Sequence, residues 1–239
     1  MQRVLHTWAR VFARLAQFGL AGRQKGISGT TTLTHNECMV SSGTDQGEII
    51  REGARVRLRR HVPANRARFQ QWYADEEIAN LLRHDLRPLN ERQSRSYFDT
   101  IILPMSARGL AFAIHERSTD ELIGTTALTD TDDYAPDARL FRIVIGEKAY
   151  WNHGFGTEAT RLVVEEAFAG MGLNEVRLEV FAHNPRAIAV YEGVGFKRTG
   201  EHLEYLGPDR PKLHVFEMSL HLEDWLHLQS HRIGDQPVI

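Results

Sequence analysis

The sequence predicts one α/β (α+β) domain, and three observations carry that prediction. From about residue 54 onward, short stretches with a two-residue apolar period alternate with longer stretches of helical period. A glycine-bearing loop, Trp151-Asn152-His153-Gly154-Phe155-Gly156-Thr157, joins one of those strands to an amphipathic helix. A second strand runs straight into Asn184-Pro185, where Asn suits the N-cap and Pro the first helical position.

Taken in order, the elements begin with 55–60, where Val56 and Leu58 alternate with arginines as in a half-buried strand. Helical periods follow at 64–82 and 90–103, the second opened by Asn90 and Glu91. Two strands at 110–115 and 121–129 flank a Ser118-Thr119-Asp120 turn. An acidic loop with Asp130, Asp132, Asp133 and Asp137 leads to a strand at 140–145. After the glycine loop come a helix at 157–169, with Ala159, Leu162, Val163 and Ala167 on one stripe, and a strand at 175–182. A short helix at 185–192, ended by Gly193 and Gly195, precedes strands at 196–205 and 213–220.

This alternation occupies 54–222 and leaves a tail at 223–239. The first 53 residues read differently. Val4, Trp8, Val11, Phe12, Leu15 and Phe18 recur at helical spacing among arginines, so 3–20 suits a basic amphipathic helix, and 19–53 reads as a Gly/Ser/Thr-rich tether. Three readings stand open: a translated leader ahead of a start at Met39, an Arg-rich transit peptide, or a surface helix for membrane or partner.

Composition narrows the class. The chain of 239 residues is 42% hydrophobic and 25% charged, which places it with folded rather than disordered chains. A net charge of −2 lacks the basic excess of a chain built to coat phosphate backbones. That near-neutrality hides an asymmetry. The first 36 residues hold five basic side chains and no acidic one, while the other 203 hold 24 basic and 31 acidic, a net −7. Cys38 is the single cysteine, so no intrachain disulfide forms, and no Cys/His spacing suits zinc. Without an apolar run of about 18 residues there is no candidate membrane span. These features predict a soluble, cytoplasmic protein with no metal, no nucleic-acid partner and no integral membrane segment.

The glycine loop has two readings. Unpaired amides at a helix N-terminus bind phosphate, and glycines admit the ligand close to the backbone. A tight turn that merely needs two glycines looks the same. Gly154-Phe155-Gly156-Thr157-Glu158-Ala159 also fits the G-x-G-x-x-A dinucleotide fingerprint. Context fails it, because five residues separate strand from glycine and no carboxylate closes the next strand. A P-loop is excluded because no Lys-Ser/Thr pair follows the glycines.

Two motifs about 30 residues apart, Ile145-Gly146-Glu147 through Thr157-Glu158-Ala159 and Asn184-x-x-Ala187-Ile188-x-x-Tyr191-x-x-x-Gly195-Phe196, resemble the GNAT superfamily of acyl-CoA-dependent N-acetyltransferases. Over 55–220 the likeness is to its RimJ/RimL-like branch, which is also similar to spermidine acetyltransferases. The resemblance implies a splayed, mixed and mostly antiparallel sheet flanked by helices, with acetyl-CoA as co-substrate between two central strands. It implies a pyrophosphate cradle at His153, Gly154, Phe155, Gly156 and Thr157, main-chain pairing at Ile145 and Glu147, and a contact at Asn184. Trp151 stands where the family places Gln or Arg.

The implied activity is acetyl transfer to a primary amine: a protein N-terminus, a polyamine or a small molecule. Such an amine, with a pKa near 10.4, is only about 0.04% neutral at pH 7, so a base matters. Tyr191 falls at the family's general-acid position; its pKa exceeds that of a thiol by about 1.5 units, roughly 2 kcal/mol. Glu179 matches the base of RimI-type relatives, with Glu147 as a second candidate. The loop aspartates, or Asp75, Glu76 and Glu77, offer a cationic acceptor an approach, while His153 reads as a solvent-exposed loop residue. The rival is a non-catalytic acyl-CoA-binding or regulatory domain of the same fold. Homodimerisation is left open.

Overall fold

The computed structural model describes residues 46–131, 133, 135–207 and 212–234, the last four as backbone. The expected amphipathic helix at 3–20, most of the tether, and Asp132 lie outside the described residues. Strand β1 (Ile49–Glu52) falls within the stretch read as tether, and it pairs antiparallel with β2 (Val56–Arg60). Its apolar content was too short to show a period.

Between β2 and the next strand lie helices α1 (Arg66–Tyr73), α2 (Glu76–Leu82), α3 (Glu91–Tyr97) and α4 (Leu103–Ala107). The single helix expected at 64–82 is broken because Asp75 is extended and its carboxylate accepts from Ile78 N, capping a new helix. The helix expected at 90–103 starts at the Asn90 cap, then widens into a π turn, Phe98–Ile102, before α4. Pro104, which has no N–H for the Thr100 carbonyl, accounts for the loosened winding.

The remaining strands are β3 (Ala111–Glu116), β4 (Leu122–Thr129), β5 (Ala138–Ile145), β6 (Glu175–Phe181), β7 (Lys197–Glu204) and β8 (Leu213–His221). Helix α5 (Phe155–Glu165) links β5 to β6, α6 (Pro185–Val194) links β6 to β7, and α7 (Leu222–Gly234) follows β8. The sheet order is β1-β2-β3-β4-β5-β6-β8-β7. Among the described residues, β5 with β6 is the one parallel neighbour pair. Helix α6 continues through Gly193, and Gly195, at φ +123°, ends it. Helix α7 occupies the expected tail, and Trp225 is buried against Phe168.

The main core joins both halves of the sheet to α5 and α6. The expected stripe Ala159, Leu162, Val163 and Ala167 is buried there with Val176, Leu178 and Val180 of β6. Phe181 belongs to a separate cluster with Leu213 and Val215. Alternation along β6 therefore sends Val176, Leu178 and Val180 to the α5/α6 face, and Arg177, Glu179 and Phe181 to the other. At the end of β5, Gly146 admits the Trp72 ring; a Cβ there would stand 2.1 Å from that ring.

Candidate active site

Strands β5 and β6 touch only at their beginnings, Ala138 with Glu175, Arg139 with Val176 and Leu140 with Arg177. Beyond Leu140 they diverge. From there the facing edges of Phe141–Ile145 and Leu178–Phe181 no longer pair with each other, although β4 and β8 hold their outer edges. Backbone polar groups on such edges want partners, and an extended ligand with amides can supply them. A cavity of about 320 Å³ fills the gap.

The glycine loop closes one mouth of this cavity. After Ile145 the chain turns through Asn152 at φ +64° and Gly154 at φ +84°, and Gly154 is the N-cap of α5. Glycine is needed at this cap because a side chain at that φ is strained. Glu158 N is the first α5 amide with a helical partner, the Gly154 carbonyl at 3.0 Å. That leaves the amides of Phe155, Gly156 and Thr157 as the open donors at the positive end of the helix.

Two guanidinium groups attend the same loop. Arg55 donates to the His153 carbonyl, and Arg186, on the first turn of α6, lies 3.8 Å from the centre of the Trp151 ring. The Trp151 indole donates to the Ile145 carbonyl at 2.6 Å, which ties the loop to the strand end. The residue that departs from the family pattern thus has a structural task, and it holds an arginine at the cavity wall.

Of the residues singled out in the sequence, Ile145, Gly154, Gly156, Thr157, Glu179, Asn184 and Tyr191 line the cavity. His153 and Phe155 do not; His153 is exposed, and Phe155 packs edge-on against Tyr150. Glu147 is also off the wall. Its carboxylate accepts from Trp72 Nε1 and Arg68 Nη1, each at 2.9 Å, and so ties the end of β5 to α1. Asn184 caps α6 by accepting from Ala187 N at 3.1 Å. Tyr191 packs edge-on to Phe141 and Phe196. Burial pushes its pKa up, so the phenol stays protonated.

Among the described residues of the acidic clusters, none lines the cavity. Asp133 pairs with Arg177, Asp130 faces Arg139, and Asp137 accepts from Asn174. Asp75 and Glu77 both pair with Lys148. On the face opposite α5, the cavity is instead walled by Ile78, Leu81, Leu82, Phe181, Glu179 and His84. Sequence reasoning missed His84 and left Arg186 without a role. No local pattern marks His84, which lies 95 positions before Glu179, whereas Arg186 stood inside the second motif.

No helix among the described residues is long and apolar enough to cross a membrane, and no three of their His, Cys, Asp or Glu side chains are placed to hold one metal ion.

A family model described as acetyltransferase (GNAT) domain matches residues 55–197, more than half of the chain. Two Bacillus subtilis proteins are similar in sequence. "Uncharacterized N-acetyltransferase YoaA" is 29% identical over 41% of this chain and 55% of its own. "Probable N-acetyltransferase YjcK" is 34% identical over 37% of this chain and 49% of its own. The chain thus spans about half the length of the curated relatives it matches. Among solved structures, spermidine N-acetyltransferase from Vibrio cholerae, in complex with CoA and spermine, superposes with a TM-score of 0.62 at 18% identity, covering 73% of this chain and 99% of that one. A GNAT-family acetyltransferase from Bacillus anthracis gives the same score at 14% identity, over 72% and 98%. A splayed mixed sheet, a glycine-capped helix at the gap and a family match across both motifs lead to one conclusion: the chain belongs to the GNAT acetyltransferase family.

Proposed function

We propose that this protein is an acetyl-CoA-dependent N-acetyltransferase of the RimJ/RimL-like kind, acting on a primary amine. The observation that carries the proposal is the cavity itself, which connects the α5 N-terminus on one face of the sheet with Glu179 on the other through Tyr191.

The residues present suit a CoA molecule. Its diphosphate matches the open α5 amides and the Arg186 guanidinium, and its extended, amide-bearing arm matches the facing edges of β5 and β6. When bound, acetyl-CoA would supply the acetyl group as an activated thioester. Tyr191 then holds a proton for the departing thiol. Burial raises the Tyr191 pKa and would raise that of a thiol in the same enclosure, so the proton transfer is less uphill than the tyrosine shift alone suggests. Glu179 is the carboxylate that meets the acceptor on the opposite face.

The test is an amine panel of N-terminal peptides, polyamines and aminoglycosides, incubated with acetyl-CoA and read by mass spectrometry. A mass gain of one acetyl on at least one amine supports the proposal. CoA binding by calorimetry without product on any amine overturns it in favour of a binding domain.

A further inference from the structure

A second set of titratable groups meets the cavity on the face away from the glycine loop. His84 follows α2, and its Nδ1 lies 2.7 Å from both carboxylate oxygens of Glu204 on β7. Its ring stands edge-on to Phe181 at 5.3 Å, and its Nε2 is 3.6 Å from Glu179 Oε2. Beyond Glu204 the row continues through His202, whose Nε2 is 3.6 Å from Glu204 and whose Nδ1 is 2.9 Å from Glu217. Of these five groups, His84 and Glu179 line the cavity. The Arg83–Asp85 pair flanks His84 in the chain, and Arg142 of β5 lines the same cavity.

With its Nδ1 on the Glu204 carboxylate, the His84 ring turns Nε2 toward Glu179. Nε2 and the Glu179 Oε2 atom stand 3.6 Å apart, both residues at the cavity wall. An ammonium can stand about 2.9 Å from both. Burial alone would push the Glu204 carboxyl up, but its bonds to His84 and His202 outweigh this and hold it below the usual carboxylate range, so it stays ionised.

We propose that His84 is the base that deprotonates the acceptor, that Glu179 holds the acceptor's ammonium, and that Glu204 is a positioning residue acting through His84. The assignment rests on the acetyl-transfer reading above. One proton moves: an ammonium N–H bond breaks, an Nε2–H bond forms, and the nitrogen keeps the electron pair with which it attacks. The imidazolium later releases that proton to solvent.

The test is the pH dependence of kcat/KM, from pH 5.5 to 10, with acetyl-CoA and whichever panel amine turns over fastest. Wild type, His84→Gln and Glu204→Gln are compared, with CoA affinity by calorimetry as the check on folding. In wild type, kcat/KM rises on an imidazole-like limb and levels off well below the amine's own pKa. His84→Gln lowers it about 10²- to 10⁴-fold at pH 7. Its kcat/KM then climbs tenfold per pH unit towards the amine's pKa, because only free amine reacts. Glu204→Gln shifts the wild-type limb to lower pH while CoA affinity stays within about twofold. If His84→Gln keeps the wild-type limb, or stays within threefold at pH 7, His84 is not the base. Should His84→Gln lose CoA affinity, the Glu204→Gln limb decides: shifted supports the assignment, unmoved overturns it. A wild type that acetylates no amine overturns the acetyl-transfer reading itself and this assignment with it, and wild type alone distinguishes that failure.

Discussion

The guanidinium of Arg186 stacks 3.8 Å from the centre of the Trp151 ring, and both residues line the cavity beside the α5 N-terminus. The indole is itself pinned through Nε1 to the Ile145 carbonyl. An arginine held by an aromatic face reaches a phosphate with less ordering left to do on binding. Arg186→Ala and Trp151→Ala should therefore each weaken CoA binding by about 1–2 kcal/mol, roughly 5- to 30-fold. The double variant should lose much less than the sum, because the two act as one unit. Calorimetry at two salt concentrations checks this, and additive losses would show that the stack has no role in binding.

Removing the Tyr191 hydroxyl should separate chemistry from binding. Tyr191→Phe is expected to lower kcat by about 10²- to 10⁴-fold and to leave the CoA Kd within about twofold. Because burial raises this pKa, the folded state keeps a proton that the unfolded chain releases near pH 10. The contribution to stability is thus full below about pH 10 and falls as the pH rises beyond it. Alkaline melting curves should drop more steeply for wild type than for Tyr191→Phe.

Gly146 and Glu147 predict effects on stability. Gly146→Ala puts a methyl 2.1 Å from the Trp72 ring and should destabilise by about 1–3 kcal/mol, seen as a lower midpoint in urea. Glu147→Gln loses charge from the bonds with Trp72 and Arg68, but kcat should remain within about threefold of wild type. A hundredfold fall in kcat would return Glu147 to the list of bases.

His61 predicts an acid sensitivity of the folded state. Burial holds its pKa down at about 4, while Nε2 shares a hydrogen bond with Thr125 Oγ1. The unfolded chain takes up this proton near pH 6.5 and the folded chain does so only near 4. Stability from this group is complete above pH 6.5 and diminishes as the pH falls to 4, by roughly 3 kcal/mol. His61→Gln should flatten that part of the stability profile in urea titrations, at some cost in stability near pH 7.

What the sequence made legible was local. The glycine loop, the Asn184-Pro185 helix start and the α5 stripe each declare themselves within about ten residues, although the helix begins at Phe155 rather than at the expected 157. Strand β1 escaped because four residues, Ile49–Glu52, cannot display a period. The break at Asp75 escaped because Phe69 and Trp72 before it and Ala79 and Leu82 after it keep one helical phase. His84 and Glu204 are 120 positions apart, on different elements, and only the fold brings them together. The acidic loops misled for the opposite reason: carboxylates dense in sequence were spent on nearby Arg177, Arg139 and Lys148.

The sheet can be seen as two leaves, β1 to β5 and β6 to β8, whose direct strand pairing is confined to one short stretch at the bottom. A ligand lying between their edges becomes a missing strand, so binding also braces the molecule. At a hundredfold excess over Kd it adds about 2.7 kcal/mol to unfolding. Amide exchange along Phe141–Ile145 should slow by more than it does in β3, which is already paired on both sides.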